Sequence, residues 1–514
     1  MTIGKKLMLV PVAALVAATH QPISAAELEV VTAVKADNVA AVRQLVDRRA
    51  DVNAAEVDGT TALMWAIRGG DERITSLLLK AGARANAANR YGVSALSLAV
   101  DAGNAASVDL LLRAGADLKL AESTLPDGQT LLMRAARSGN VDVIKALVAR
   151  GDDVNAAERR DGTSAVVWAA TADHAPAVQA LLKAGANPDA KSLVTAFPHT
   201  PPAVTGDRLE PDVSYVGQTV LPKGGWTPLM YAAREGALAS ARVLAESGAN
   251  LDAIDPDGTS ALVFAVINGH YDVAALLIEE GANLDLGDRT GMTPLYAAVD
   301  MHTLGSTFGR PDPPITVIDG SVDVVKLLLE YGANPNATLK TRILKRVYNA
   351  GDARLGEGAT ALMRAARSGD VGIMRLLLQH GANPALQQKN GNTPVLLAAS
   401  LSTKGNYPDR GSEESAIEAI RLCLERGLDI NAANATGDTA LHLAVNSSAM
   451  IRFLAANGGR LDARNKRGQT PLGAALAARN TDPHVVSLLR ELSPPGAETV
   501  SAPAGAAAKA EPAE

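Results

Sequence analysis

Apolar residues recur along the chain in short bursts at helical spacing, and each burst follows a turn. "DGTTALMWAI" from residue 58, "YGVSALSLAV" from 91 and "DGQTLLMRAA" from 127 share one pattern. It returns as "DGTSAVVWAA" at 161, "GGWTPLMYAA" at 224, "DGTSALVFAV" at 257, "TGMTPLYAAV" at 290 and "EGATALMRAA" at 357. "NGNTPVLLAA" at 390, "TGDTALHLAV" at 436 and "RGQTPLGAAL" at 467 complete eleven copies, with a basic period of 33 residues. A second apolar burst follows each, as in "LLLKAGARAN", "LLLEYGANPN" and "LLLQHGANPA". The pattern predicts pairs of short helices, with no long strand between them.

Each recurring residue has a local physical task. The Asx/Gly pair makes a turn that needs a positive φ angle. The following Thr or Ser is an N-cap whose hydroxyl takes a free backbone N–H: Thr61, Ser94, Thr130, Ser164, Thr227, Ser260, Thr293, Thr360, Thr393, Thr439 and Thr470. Pro228, Pro294, Pro394 and Pro471 stand at the first helical position, where no donor is lost. The alanine pair allows close helix approach. Gly82, Gly115, Gly185, Gly281, Gly332 and Gly381 end the second helices.

These residues closely resemble the ankyrin repeat, over about residues 28 to 493. The resemblance implies an all-α solenoid of about twelve helix-turn-helix repeats with hairpin fingers, and a non-enzymatic role in binding other proteins. One departure stands out. The family's histidine after T-P-L is kept only as His442; Met64, Met133, Met230, Met363 or Tyr296 replaces it elsewhere, which implies apolar packing in place of a polar network. Residues 27–57 read as an N-terminal cap repeat, and the solenoid is expected to span 27–493.

The spacing of turn glycines points to four insertions, near residues 187–224, 301–319, 335–356 and 401–414. The stretch "DMHTLGSTFGRPDPPITVID" from 300 reads as non-helical. Phe197, Tyr215, Phe308, Tyr348 and Tyr407 lie in the insertion regions, five of the twelve Phe and Tyr, so these loops are expected to fold onto the solenoid or onto a partner. "LKTRILKRV" at 339 sets Lys340, Arg342, Lys345 and Arg346 around apolar residues, and reads as a solvated helix rather than a contact for an anionic surface.

Composition narrows the function. Hydrophobic residues make up 47% of the 514-residue chain but aromatics only 3%, so Ala, Leu and Val must build the core. The net charge of −6 makes general binding of nucleic acid unfavourable. Lys5, Lys6, the apolar run "LMLVPVAALVAAT" and "ISAAE" predict a signal peptide over 1–26, hence an exported protein, periplasmic in the first instance, without stable membrane insertion. Residues 494–514 are Ala/Pro-rich and expected to be disordered. Cys423, the only cysteine, sits where another repeat carries leucine and reads as a core residue.

No catalytic or metal-binding motif is present: the eight histidines are scattered, and no cofactor or metal is expected. By the resemblance, the residue after each alanine pair faces the concave groove. That row is Arg68, Asp101, Arg137, Thr171, Arg234, Ile267, Asp300, Arg367, Ser400 and Asn446. Trp226 and Met292, just before their capping threonines, are expected to face partners as well. The groove arginines Arg68, Arg137, Arg234 and Arg367 suggest acidic partner segments. Trp65 and Trp168, one turn earlier, are expected to pack on the neighbouring repeat; Arg134 and Arg364 share their row. His302, Phe308 and Tyr348 are candidate loop contacts. The leading reading is an exported, monomeric protein-binding scaffold. The alternatives are an effector acting on another organism, and an enzyme assembling His199, His302, Asp312 and Tyr348 from the insertions.

Overall fold

The computed structural model describes residues 28–123, 125–194, 224–304, 320–343, 355–400, 411–445, 447–478 and 481–494. These residues form 25 α-helices and no named strand, the all-α repeat architecture that the periodicity predicts. The only extended pairing among them is isolated bridges in the fingers, such as Ala55 with Thr61 and Thr338 with Thr360. The chain divides into two units, one ending at Arg159 and the other beginning at Arg160.

In the first unit, Ala62–Gly69 is a typical first helix and Glu72–Lys80 its second. Leu63, Ile67, Ile74 and Leu78 from the facing sides are at most 1% exposed. First helices pack on first helices, and second on second, from Glu29–Lys35 through Leu131–Arg137. The second unit repeats this in two continuous layers, from Ala165–Thr171 to Pro483–Leu492. The alanine pairs lie at the stacking surfaces: Ala135 and Ala136, Ala232 and Ala233, and Ala365 and Ala366 are fully buried. A larger side chain there would push neighbouring helices apart and lose dispersion contacts along the stack.

Nine of the eleven expected caps accept the N–H three residues on, as Thr61 does from Met64 and Thr393 from Leu396, both at 3.3 Å. Two differ. The Ser164 hydroxyl is buried without a hydrogen-bond partner. The Thr439 hydroxyl instead meets His442 Nδ1 at 2.9 Å, and His442 Nε2 reaches the Gln469 carbonyl at 3.0 Å. The one retained histidine thus joins its own cap to the next repeat.

A second register of bonds was not anticipated from the sequence. Asn53 donates to the Gly82 carbonyl (3.1 Å) and accepts from Arg84 N (2.8 Å), bridging adjacent repeats at the finger bases. Asn86 does the same to Gly115 and Asp117, and Asn336 to Gly381 and Asn383. Asp252 and Asp285 accept the equivalent N–H of Asn283 and Asn334. The sequence signal was the Asn or Asp that closes each "GA-N/D-x-N/D" segment.

Three boundaries need correction. Pro294–Leu304 remains helical through "DMHTL", because no glycine or proline intervenes before Gly305. Glu413–Leu424 takes in the last two residues assigned to an insertion, started by Ser412 accepting from Ser415 N at 3.1 Å. The third is an excess beyond the four insertions: 36 residues separate Gly92 from Gly128. It forms an additional short helix, Leu118–Glu122, capped by Asp117, followed by a 3-10 turn at Pro126–Gly128. Residues 1–27, 195–223, 305–319, 344–354, 401–410 and 495–514, which contain the expected signal peptide, most of the insertions and the tail, lie outside the described residues.

Candidate partner-binding surface

In the second unit the local chain geometry builds an aromatic cluster around Trp226. Trp226 N donates to Ser192 Oγ at 3.1 Å and its carbonyl accepts from Ser192 N at 3.0 Å, which fixes the residue to the preceding finger. The indole N–H donates to Asp255 Oδ2 at 3.2 Å. Tyr231 and Arg234 follow on Pro228–Glu235, three residues apart and so on one face. Tyr231 meets the Trp226 ring edge-on, with centroids 5.3 Å apart; Phe264, from the next first helix, does so at 5.2 Å. The Arg234 guanidinium lies 5.0 Å from the Trp226 centroid and 2.8 Å from Glu235 Oε1. Phe264 is buried, Trp226 and Tyr231 are half-buried, and Arg234 is exposed. The cluster therefore offers an aromatic surface held from below, with a cation at its edge.

The first unit has a smaller version. Trp65 donates from Nε1 to Glu56 Oε2 at 2.8 Å. Lys35 Nζ lies 4.2 Å from the Trp65 centroid and Arg68 Cζ 5.4 Å. Lys35, from the preceding helix pair, also forms an ion pair with Glu56. Trp65 thus meets the neighbouring repeat through a cation. Arg68 and Arg137 are exposed, and Arg134 pairs with Asp101 of the preceding repeat. Burial raises the Asp101 pKa above the ordinary carboxylate value, with Arg134 and Arg137 acting in the opposite direction.

The structure brings Trp226 and Arg234 together and adds Tyr231 and Phe264, which sequence reasoning had not singled out. Their signal was an aromatic at the position of Trp65 and Trp168 in two consecutive repeats. Trp168 itself donates to Thr163 Oγ1 at 2.8 Å, within its own repeat.

Other positions differ from expectation. Met292 is 3% exposed, because the turn closes around Asp288, whose Oδ1 accepts Met292 N at 3.0 Å. Arg367 and Asp300 are 7% and 9% exposed, so neither presents an open face. Arg364 Nε donates to Asp300 Oδ1 at 2.6 Å, drawing that part of the row into a buried polar cluster. His302 bonds within the fold, to Ser321 Oγ at 3.0 Å and Asp370 Oδ2 at 3.2 Å. Thr171 is exposed, and Ile267 and Ser400 are half-buried. Phe308, Tyr348, Asn446, His199 and Asp312 lie outside the described residues. Among the described residues no group of three or more metal-ligating side chains occurs, and no helix is long and apolar enough to cross a membrane.

A family model described as "Ankyrin repeats (3 copies)" matches residues 30–122, 119–192, 247–338, 315–407 and 412–500. A second, "Ankyrin repeat", matches 224–256. No curated protein matches the chain. Among solved structures, the chain is similar to the crystal structure of human ASB11 ankyrin repeat domain, at 23% identity and a TM-score of 0.38, over 49% of this chain and 98% of that one.

Proposed function

Since this chain belongs to the ankyrin repeat family, whose repeats generally mediate protein–protein interaction, we propose that it is a non-enzymatic exported scaffold. It binds another protein through the groove-facing row and the inserted loops. The observation that carries this reading is the Trp226 cluster. A half-buried indole, braced by Tyr231 and Phe264 and edged by the exposed Arg234, has the composition of an interface anchor. Within each unit the stacked repeats present preformed surface, so little entropy is lost on docking and a few such anchors suffice for useful affinity. Trp65 with Lys35 and Arg68 supplies a second cation-edged indole. Both clusters favour a partner segment that carries carboxylates beside apolar side chains.

Export rests on the first 26 residues, and the periplasm is the compartment proposed; action on another organism is the alternative. Cell fractionation with N-terminal sequencing separates these readings. Recovery of the full-length chain in the cytoplasm would remove the export proposal.

A photo-crosslinking residue placed at Arg68 or Arg234, and as a control at the second-helix residue Lys326, tests the binding surface in the native host. The expected result is one shared product from the first two positions and none from the third. Equal labelling from all three would overturn the assignment.

A further inference from the structure

At the position following the cap glycine, six repeats bury an alanine: Ala83, Ala186, Ala249, Ala282, Ala333 and Ala382 are all at most 9% exposed. The fourth helix pair of the first unit carries Asp152 there instead, at 5% exposure. Neither Asp152 oxygen has a hydrogen-bond partner. The backbone N–H groups of Asp153 and Leu132 approach and favour the ionised form in part, without full hydrogen-bond geometry.

The additional helix Leu118–Glu122 brings a second buried carboxylate near enough for its charge to act on Asp152, and both carboxylates act on Lys119. Glu122 is 8% exposed; its Oε1 accepts Leu131 N at 2.9 Å, and its Oε2 lies 3.2 Å from Lys119 Nζ. That N–H starts the next first helix, so the ionised form of Glu122 holds the short helix onto the fourth pair. Lys119 is the cation that faces both carboxylates, and its side chain is largely exposed. Asp153, which accepts Asn155 N at 3.0 Å, also lies near Lys119, and the remaining cations of the adjoining elements are directed elsewhere. Arg134 pairs with Asp101, and Arg137 lies near the same carboxylate. Lys145 lies 3.8 Å from Asp142, and Arg150 lies 3.7 Å from Asp109. One exposed ammonium cannot compensate two buried carboxylates.

We propose that Asp152 and Glu122 form a proton-operated latch. With Asp152 protonated, the short helix Leu118–Glu122 stays docked; when Asp152 ionises, like charges meet in a buried site and the helix is released. Release would also open the cavity of about 80 Å3 lined by Ala85, Ala88, Leu96, Leu120 and Ala121.

The sign follows from the geometry. Burial, and then the Glu122 charge, push Asp152 up to about 7. The docked state therefore binds more protons than the released state at pH values between about 4 and 7. Docking is strongest at the acid end of that window, weakens as pH rises through it, and is constant above it. Coupling to one proton sets a limit of about tenfold per pH unit.

Hydrogen exchange of the full chain, followed from pH 5 to 9 and corrected for intrinsic rates, tests this. The expected result is that protection of residues 118–122 falls by up to tenfold per unit below pH 7, while that of Glu72–Lys80 does not. Asp152→Ala restores the usual residue and is expected to flatten the profile. Asp152→Asn serves as an independent check if the alanine variant folds poorly and is also expected to flatten it, whereas Glu122→Gln leaves Asp152 buried, removes only the like charge, and is expected to move the transition to lower pH. A wild-type profile parallel to that of Asp152→Ala, an equal loss in Glu72–Lys80, or an unchanged transition in Glu122→Gln would each overturn the latch.

Discussion

His302 Nε2 lies 3.2 Å from Asp370 Oδ2, across two consecutive helix pairs. The same imidazole meets Ser321 Oγ through Nδ1 at 3.0 Å, so one ring ties three helices. Asp370 is also the N-cap of Val371–Gln379, accepting Ile373 N at 3.0 Å. Burial opposes ionisation of Asp370, but the His302 contact and the cap N–H outweigh it and hold its pKa below the usual value. A depressed carboxylate contributes stability above its unfolded value near 4, and loses it as pH falls through the folded value. Asp370→Asn keeps a capping side chain while removing the charge. It is expected to cost about 1 kcal/mol at pH 7, a loss that disappears at strongly acid pH. Urea midpoints at the two pH values measure it; an identical loss at both would show that the charge contributes nothing.

The Trp226 cluster separates stability from recognition. Trp226→Ala removes a half-buried indole from two aromatic neighbours and is expected to cost roughly 2–3 kcal/mol. Arg234→Ala removes an exposed cation and is expected to cost under about 1 kcal/mol. Under the proposed function, Arg234→Ala nonetheless lowers partner affinity by about tenfold. Denaturation curves and a binding isotherm for the cross-linked partner distinguish these effects. An affinity unchanged by Arg234→Ala would place recognition elsewhere.

The helix pairs, their caps and the alanine stacking surfaces were legible because each depends on a local rule repeated at a fixed period. Gly82 and Gly332 adopt φ angles of +91° and +92° at the predicted helix ends. The sites were less legible, because exposure depends on neighbours that no periodicity specifies. Arg234 and Arg367 occupy the same repeat position, yet one is exposed and the other is 7% exposed beside the buried Asp300–Arg364 pair. The short helix Leu118–Glu122 was missed because its excess was small against a 33-residue period.

Two glycines report opposite roles. Gly391 has φ +77°, and a Cβ there would lie 2.7 Å from Ala435 N of the next repeat. Gly391→Ala is expected to destabilise by about 2–4 kcal/mol, through backbone strain and a main-chain clash. Gly69 ends Ala62–Gly69, and no atom lies within 4 Å of the place a methyl group would take. Gly69→Ala is therefore expected to stabilise by about 0.5–1 kcal/mol. Thermal midpoints of the two variants moving in the same direction would contradict this reading.

The two kinds of cap can be compared in the same way. Thr393 caps its helix through Leu396 N, and Thr393→Ala is expected to cost about 1 kcal/mol. The Ser164 hydroxyl is buried and unpartnered, so Ser164→Ala loses no bond and removes a desolvated group. It is expected to be neutral or stabilising by up to about 1 kcal/mol. A loss at Ser164 as large as that at Thr393 would mean that a cap forms there in solution.

Cys423 has the environment of a packing residue rather than a reactive one. It is fully buried on Glu413–Leu424, and burial pushes its thiol up to about 12. At pH 8 only roughly one thiol in ten thousand would be ionised, and the thiolate is the nucleophile. The folded chain is therefore expected to resist an aromatic disulfide reagent. Labelling should appear at the rate of unfolding and reach one equivalent in denaturant. Cys423→Ala is expected to cost about 1 kcal/mol through the small cavity it leaves. Rapid stoichiometric labelling of the native chain would contradict both the burial and the raised pKa, and would make the thiol available for chemistry in an oxidising compartment.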